Sequence, residues 1–181
     1  MENRLTPVLV LDFDGVLVSL DINWAHVRHE VSKALGIPIS SLNVFWEQYH
    51  GTEMFKKAND IAEKYEFQAL ERTRPKEDLG AALAGWSGRC YIASLQSEKV
   101  LKLFVERFKL QPYISEMLDR IAFGSKRRQL EYVMLKEGRD NCVVIDDSKI
   151  NQKMCAELGL RCIPFNISRD RIHDIISKLN S

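Results

Sequence analysis

Val8-Leu9-Val10-Leu11-Asp12-Phe13-Asp14-Gly15-Val16-Leu17 is the stretch on which the reading of this chain turns. Its first residues are apolar without alternation, the pattern of a strand buried on both faces of a parallel sheet. Two carboxylates follow at the strand's carboxyl end, the edge at which open α/β sheets bind ligands. Alternate strand residues point the same way, so Asp12 and Asp14 converge on one centre. Gly15 permits the sharp exit that a loop there requires. An ordinary Asp-Gly turn after a core strand accounts for Asp14 and Gly15, but it leaves Asp12 as a buried charge in need of compensation.

A second acidic strand end lies far along the chain, where Cys142-Val143-Val144-Ile145 runs into Asp146-Asp147-Ser148. Two such ends in one parallel sheet bring like charges close together, which is costly unless a cation sits among them. Carboxylate and water ligands with few dedicated protein groups suit Mg²⁺. Capping of the next helix by Asp147 or Ser148 is compatible with that use. Tyr91-Ile92-Ala93-Ser94 puts a hydroxyl at another strand end, where Ser94 and neighbouring N–H groups can hold a phosphate oxygen. Phe123-Gly124-Ser125-Lys126 adds an ammonium at the same edge. Singly, Ser94 reads equally well as a helix cap and Lys126 as surface charge.

Outward from these ends, four apolar runs read as strands: Val8 to Phe13, Cys90 to Ala93, Ile121 to Phe123 and Cys142 to Ile145, with Arg161 to Phe165 a weaker fifth. Helical spacing separates them, in Val100, Leu101, Phe104 and Phe108, in Leu130, Val133 and Met134, in Ile150, Met154 and Leu158, and in Ile172, Ile176 and Leu179. Alternation of strands and helices predicts an α/β fold with an open parallel sheet covered by helices on both faces. About 75 residues separate the first two strands, where a crossover needs roughly 15–25. The excess carries helical spacing through Trp24, Val27 and Val31, then Leu42, Phe45 and Trp46, then Met54, Ala58 and Ile61. These define an expected helical insertion at 19–74 within a core of 1–18 and 75–181, with Pro75 restarting a core helix through Leu83. The insertion has no flexible linker and is expected to dock on the core.

With 181 residues, 45% hydrophobic and 28% charged, the chain is long enough for one domain with a sizeable core. Its 26 Lys+Arg against 25 Asp+Glu leave a net charge of +1, so no global field attracts nucleic acid or basic partners. Cys90, Cys142, Cys155 and Cys162 lack C-x-x-C spacing and read as reduced core residues rather than disulfides or zinc ligands. No apolar run reaches the roughly 20 residues of a membrane span, and Met1 to Pro7 is too polar for a signal peptide. A cytoplasmic protein without membrane or nucleic-acid partners is expected, as a monomer or weak homodimer.

The ordered set Asp-x-Asp, Ser, Lys, Asp-Asp, each at a strand's carboxyl edge, resembles the four motifs of the haloacid dehalogenase (HAD) superfamily over about residues 5–20 and 75–170. The resemblance implies a Rossmannoid core with a C1-type helical cap, which falls after the first motif as the insertion does here. Only 31 residues separate Ser94 from Lys126, too few for the family's other cap type. It further implies that Asp12 is a nucleophile forming an aspartyl-phosphate and Asp14 a general acid and base. Asp12, the backbone carbonyl of Asp14 and Asp147 would hold Mg²⁺, with Asp146 and Asn151 supporting them. Ser94 and Lys126 would bind the phosphoryl group, beside Gly15. Arg127 stands where many relatives have Pro, and Asn151 where many have Asp; neither removes an essential group.

The implied activity is hydrolysis of a small phosphorylated metabolite. Asp14 argues against a dehalogenase, which lacks that carboxylate. A phosphomutase and a non-catalytic binding protein on the same core are the alternatives. Among other residues, His26 and His29 read as solvent-facing, Arg127 as a solvated helix start, and the aromatic set around Phe45 and Trp46 as the insertion's own core. The stretch His50 to Lys57 is the first expectation for residues facing the substrate.

Overall fold

The fold is built on five parallel strands in the order β3-β2-β1-β4-β5. They are β1 (Val8–Leu11), β2 (Cys90–Ala93), β3 (Glu116–Leu118), β4 (Cys142–Asp146) and β5 (Arg161–Pro164). The structure is a computed structural model and describes residues 7–181. Residues 1–6, part of the polar N-terminal stretch, lie outside the described residues. Between β1 and β2 come α1 (Trp24–Leu35), α2 (Leu42–Tyr49), α3 (Glu53–Arg72) and α4 (Leu79–Ala84). The remaining helices are α5 (Glu98–Arg107), α6 (Arg120–Phe123), α7 (Lys126–Glu137), α8 (Lys149–Leu158) and α9 (Ile172–Asn180).

The period-two rule sorts β1 between two cores. Leu9, Leu11 and Phe13 pack with Leu83, Phe104 and Ile176 on one face of the sheet, and Val8 and Val10 with Leu130, Val133 and Cys155 on the other. Burial on both faces is why the strand carries no polar alternation. β1 lies between β2 and β4, pairing Leu11 with both Ile92 and Ile145. Chain order reverses at this strand, and the crevice at its carboxyl end is the switch point where such sheets bind ligands.

Helices α1–α3 form a third core, in which Val27, Val31, Phe45, Trp46, Phe55, Ala58 and Ala62 are buried together. Each begins at a polar cap. The side chains of Asn23, Ser41 and Thr52 accept from the backbone N–H of His26, Val44 and Phe55, each contributing about 1 kcal/mol.

Two expectations are corrected. Ile121 to Phe123 is helix α6, and the third strand lies just upstream at Glu116–Leu118. The Asp119 carboxylate accepts from the N–H groups of Ile121 and Ala122 at 2.7 and 3.0 Å. That cap turns the chain before the apolar triplet can extend. Leu79, rather than Pro75, begins α4, because Asp78 is its cap, accepting from Ala81 N–H at 3.0 Å.

Candidate active site

Asp12 is the first residue beyond β1, and its N–H still donates to Ile145 of β4 at 3.0 Å. This places its carboxylate at the sheet edge against Lys126, whose Nζ donates to Asp12 Oδ1 at 2.8 Å and lies 3.1 Å from Asp146 Oδ2. Burial pushes the Asp12 carboxyl up to about 7, against the opposing pull of Lys126. Burial also opposes the Lys126 charge, but the Asp12 and Asp146 carboxylates outweigh it and hold the ammonium well above its ordinary range.

Asp146 is fully buried. Besides Lys126 it takes Asn151 Nδ2 on both oxygens, at 3.1 and 3.0 Å, and the Ser148 N–H at 2.9 Å. Ser148 caps α8, which leaves the neighbouring Asp147 carboxylate free of that duty. Asp147 points to the loop after β1, where a Cβ built on Gly15 would lie 2.3 Å from its Oδ2. Gly15 also has φ +91°, so any side chain there meets both a clash and a strained backbone. Carboxylate oxygens of Asp12, Asp146 and Asp147 lie within 4.8 Å of one another.

Asp14 turns toward the inserted segment, accepting the Leu20 N–H at 2.7 Å. Burial pushes its carboxyl up to about 6, partly countered by that hydrogen bond. Ser94 is buried at the end of β2, its hydroxyl donating to Gln96 Oε1 and its carbonyl accepting from Gln129 Nε2 at 2.7 Å.

These residues border one cavity of about 510 Å³. Asp12, Asp14, Ser94, Lys126, Asp147 and Asn151 line it from the sheet, and Trp24, Arg28, Asn43 and Trp46 from α1 and α2. None of residues 50–57 lines it. His50 instead rests on the core, its Nε2 2.7 Å from the Ile121 carbonyl and its ring against Gly124. Arg127 lies outside the cavity, paired with Glu157 at 2.6 Å. His26 sits on the exposed face of α1, 3.2 Å from the Tyr65 hydroxyl. Sequence reasoning gave no role to Gln96, Arg28 or Asn43, since polar residues in loops and on helix surfaces carry no spacing signal of their own.

No protein-family model matches the chain, and no curated protein matches it. Solved structures do. A HAD-superfamily hydrolase of subfamily IA from Geobacter sulfurreducens superposes with a TM-score of 0.63 at 13% identity, over 96% of both chains. The chain has the fold of the haloacid dehalogenase superfamily. Two further solved structures superpose over most of their length. A predicted phosphoglycolate phosphatase from Haemophilus somnus gives a TM-score of 0.66 at 15% identity, over 98% of this chain and 99% of that one. CbbY from Rhodobacter sphaeroides, solved in complex with phosphate, gives 0.61 at 15% identity, over 92% and 90%. At such identities the likeness is one of fold, and the chemistry rests on the residues at the sheet edge.

Proposed function

We propose that the chain is a Mg²⁺-dependent phosphatase that hydrolyses a small phosphorylated metabolite through an aspartyl-phosphate on Asp12. The observation that carries this reading is the convergence of Asp12, Asp14, Ser94 and Lys126 on one cavity beneath the inserted helices. Asp12 Oδ attacks phosphorus as the bond to the leaving oxygen breaks, and Asp14, whose carboxyl burial raises toward neutrality, gives that oxygen its proton from its acid form. Asp14 then takes a proton from a water that attacks phosphorus, freeing phosphate and restoring Asp12. Lys126 and the Ser94 hydroxyl hold the phosphoryl oxygens. A carboxylate approaching a phosphate dianion is repelled, so screening and positioning do most of the work.

The residues present fit a hard divalent cation. Three carboxylates converge against one ammonium, and the missing side chain of Gly15 keeps the space beside Asp147 open. Asp12, Asp147 and the backbone carbonyl of Asp14 would hold Mg²⁺, while Asp146, committed to Lys126, Asn151 and Ser148, supports them. When bound, the ion supplies the counter-charge that this acidic edge lacks. Residues 19–74 act as the cap in this reading, and the cavity accommodates a small molecule. The reading also takes the protein to be cytoplasmic, in keeping with its free cysteines, and to act alone or as a weak homodimer. Among the described residues no helix is long and apolar enough to cross a membrane.

Phosphate release from para-nitrophenyl phosphate and a panel of phosphorylated metabolites tests the proposal. Turnover should require Mg²⁺ or Mn²⁺ and stop with chelator, and Ca²⁺ should support it poorly because its looser shell misplaces the phosphoryl group. Full turnover in chelator, or none under any condition, would contradict it.

A further inference from the structure

The turn that follows Ser94 is held by a charged pair that belongs half to the inserted helices and half to the core. Arg120 of α6 and Glu66 of α3 form an ion pair at 2.7 Å, and both side chains are fully buried. Burying two charges is costly unless every lone pair and N–H is used, and here they are used on the turn. Arg120 Nη1 donates to the Leu95 carbonyl at 2.8 Å, the Arg120 backbone N–H to the Gln96 carbonyl at 3.1 Å, and the Ser97 N–H to Glu66 Oε2 at 3.2 Å. Leu95 and Ser97 therefore each give a backbone group to the charged side chains, and Gln96 between them gives its carbonyl to the Arg120 main chain.

The remaining guanidinium donors are bound by Asn59 Oδ1 of α3, at 2.8 and 3.0 Å. The Trp46 ring of α2 lies 4.6 Å from the guanidinium carbon. Trp46 and Leu95 both line the cavity. Within the turn, the Gln96 side chain accepts the Ser94 hydroxyl. A continuous path thus runs from the buried pair through the backbone of residues 95–97 to the Ser94 Oγ, and a branch runs through Trp46 to the cavity roof.

We propose that Glu66 and Arg120 are positioning residues that set the Ser94–Ser97 turn for binding a phosphoryl group, so that an inserted helix completes the phosphate site. The inference rests on the phosphatase reading for what the turn binds. It goes beyond that reading in making α3 a working part of the phosphate site as well as a cover. A pair serving packing alone would fill the same space, and replacing both members by apolar residues would preserve stability and function together. A positioning pair separates the two, because apolar side chains fill the volume but leave the Leu95 carbonyl and the Ser97 N–H unheld.

The test compares wild type with Glu66→Gln and with the double variant Glu66→Leu/Arg120→Met, using para-nitrophenyl phosphate turnover, inhibition by inorganic phosphate, thermal midpoint and amide exchange of the peptide covering residues 94–97. The double variant should stay folded while KM and the phosphate inhibition constant rise about tenfold, with kcat changed less than about threefold. Exchange at residues 94–97 should quicken about tenfold with the sheet unchanged. Glu66→Gln, which keeps the shape and one acceptor, should show the same pattern more weakly and decides the matter if the double variant fails to fold. KM, inhibition constant and exchange all within about twofold of wild type in a folded variant would overturn the proposal. Absence of turnover in wild type would instead defeat the phosphatase reading, and the exchange measurement would still decide whether the pair holds the turn.

Discussion

Asp12 and Asp14 are two residues apart and the fold treats them oppositely. Asp12 is pressed against the Lys126 ammonium, which favours a nucleophilic carboxylate once the acidic edge is neutralised. Asp14 is hydrogen-bonded to the Leu20 amide and raised to about 6, which favours a group that gives and takes a proton near neutrality. The same burial has a consequence for stability. Asp12, Asp14 and Asp147 all have carboxyls raised in the folded state, so the native protein binds more protons than the unfolded chain above their ordinary values. The stability they contribute is fully present at low pH and is lost as pH rises through their folded values. In chelator the urea midpoint should therefore fall between about pH 5 and about pH 8, and Mg²⁺ should remove most of that fall. A midpoint that rises over this range in chelator would contradict the electrostatics described here.

Among the elements, α1 and α2 line the cavity that holds Asp12 and Asp14, and under the proposed function they select what reaches these carboxylates. Arg28 and Asn43 sit on the cavity wall opposite the sheet, whereas residues 50–57 do not line the cavity. Substituting Arg28 or Asn43 by Ala should reorder activity among metabolite phosphates by about tenfold, while para-nitrophenyl phosphate hydrolysis changes less than about threefold. An unchanged ranking in folded variants would remove these helices from substrate choice. Periodicity made the buried faces of α1–α3 legible, since Val27, Val31 and Ala58 recur at helical spacing. It does not say which end of a helix overhangs a cavity in another layer. For the same reason the strands β1, β2 and β4 were readable as unbroken apolar runs, whereas β3 was not. β3 is three residues long at the sheet edge and opens with Glu116, whose carboxylate pairs with Lys136 at 2.6 Å. The apolar triplet beside it drew the assignment, and the cap at Asp119 is the local signal that separates the two.

At the scale of the molecule, the sheet order makes the site. With β1 central, its carboxyl end lies between those of β2 and β4, so Ser94 and the pair Asp146-Asp147 flank Asp12 without any long side chain reaching across. Lys126 comes from the helix that packs on the opposite core. Asp12, Ser94 and Asp146-Asp147 were legible as one set because each stands at a strand end or just after it, and a parallel sheet gathers such ends on one side, whereas Lys126 opens α7 beyond the short helix α6 that follows β3. Arg120 and Glu66 were not legible, because a buried ion pair between a core helix and an insertion leaves no spacing in the sequence. The central claim is that Asp12 takes the phosphoryl group. The direct measurement is mass spectrometry of protein mixed with para-nitrophenyl phosphate and Mg²⁺ and quenched in acid during turnover. A phosphoryl adduct should appear on the peptide containing Asp12 and be absent from Asp12→Asn, which should keep its fold and lose about a thousandfold or more in phosphate release. Steady turnover with no adduct at Asp12, undiminished in Asp12→Asn, would contradict the account.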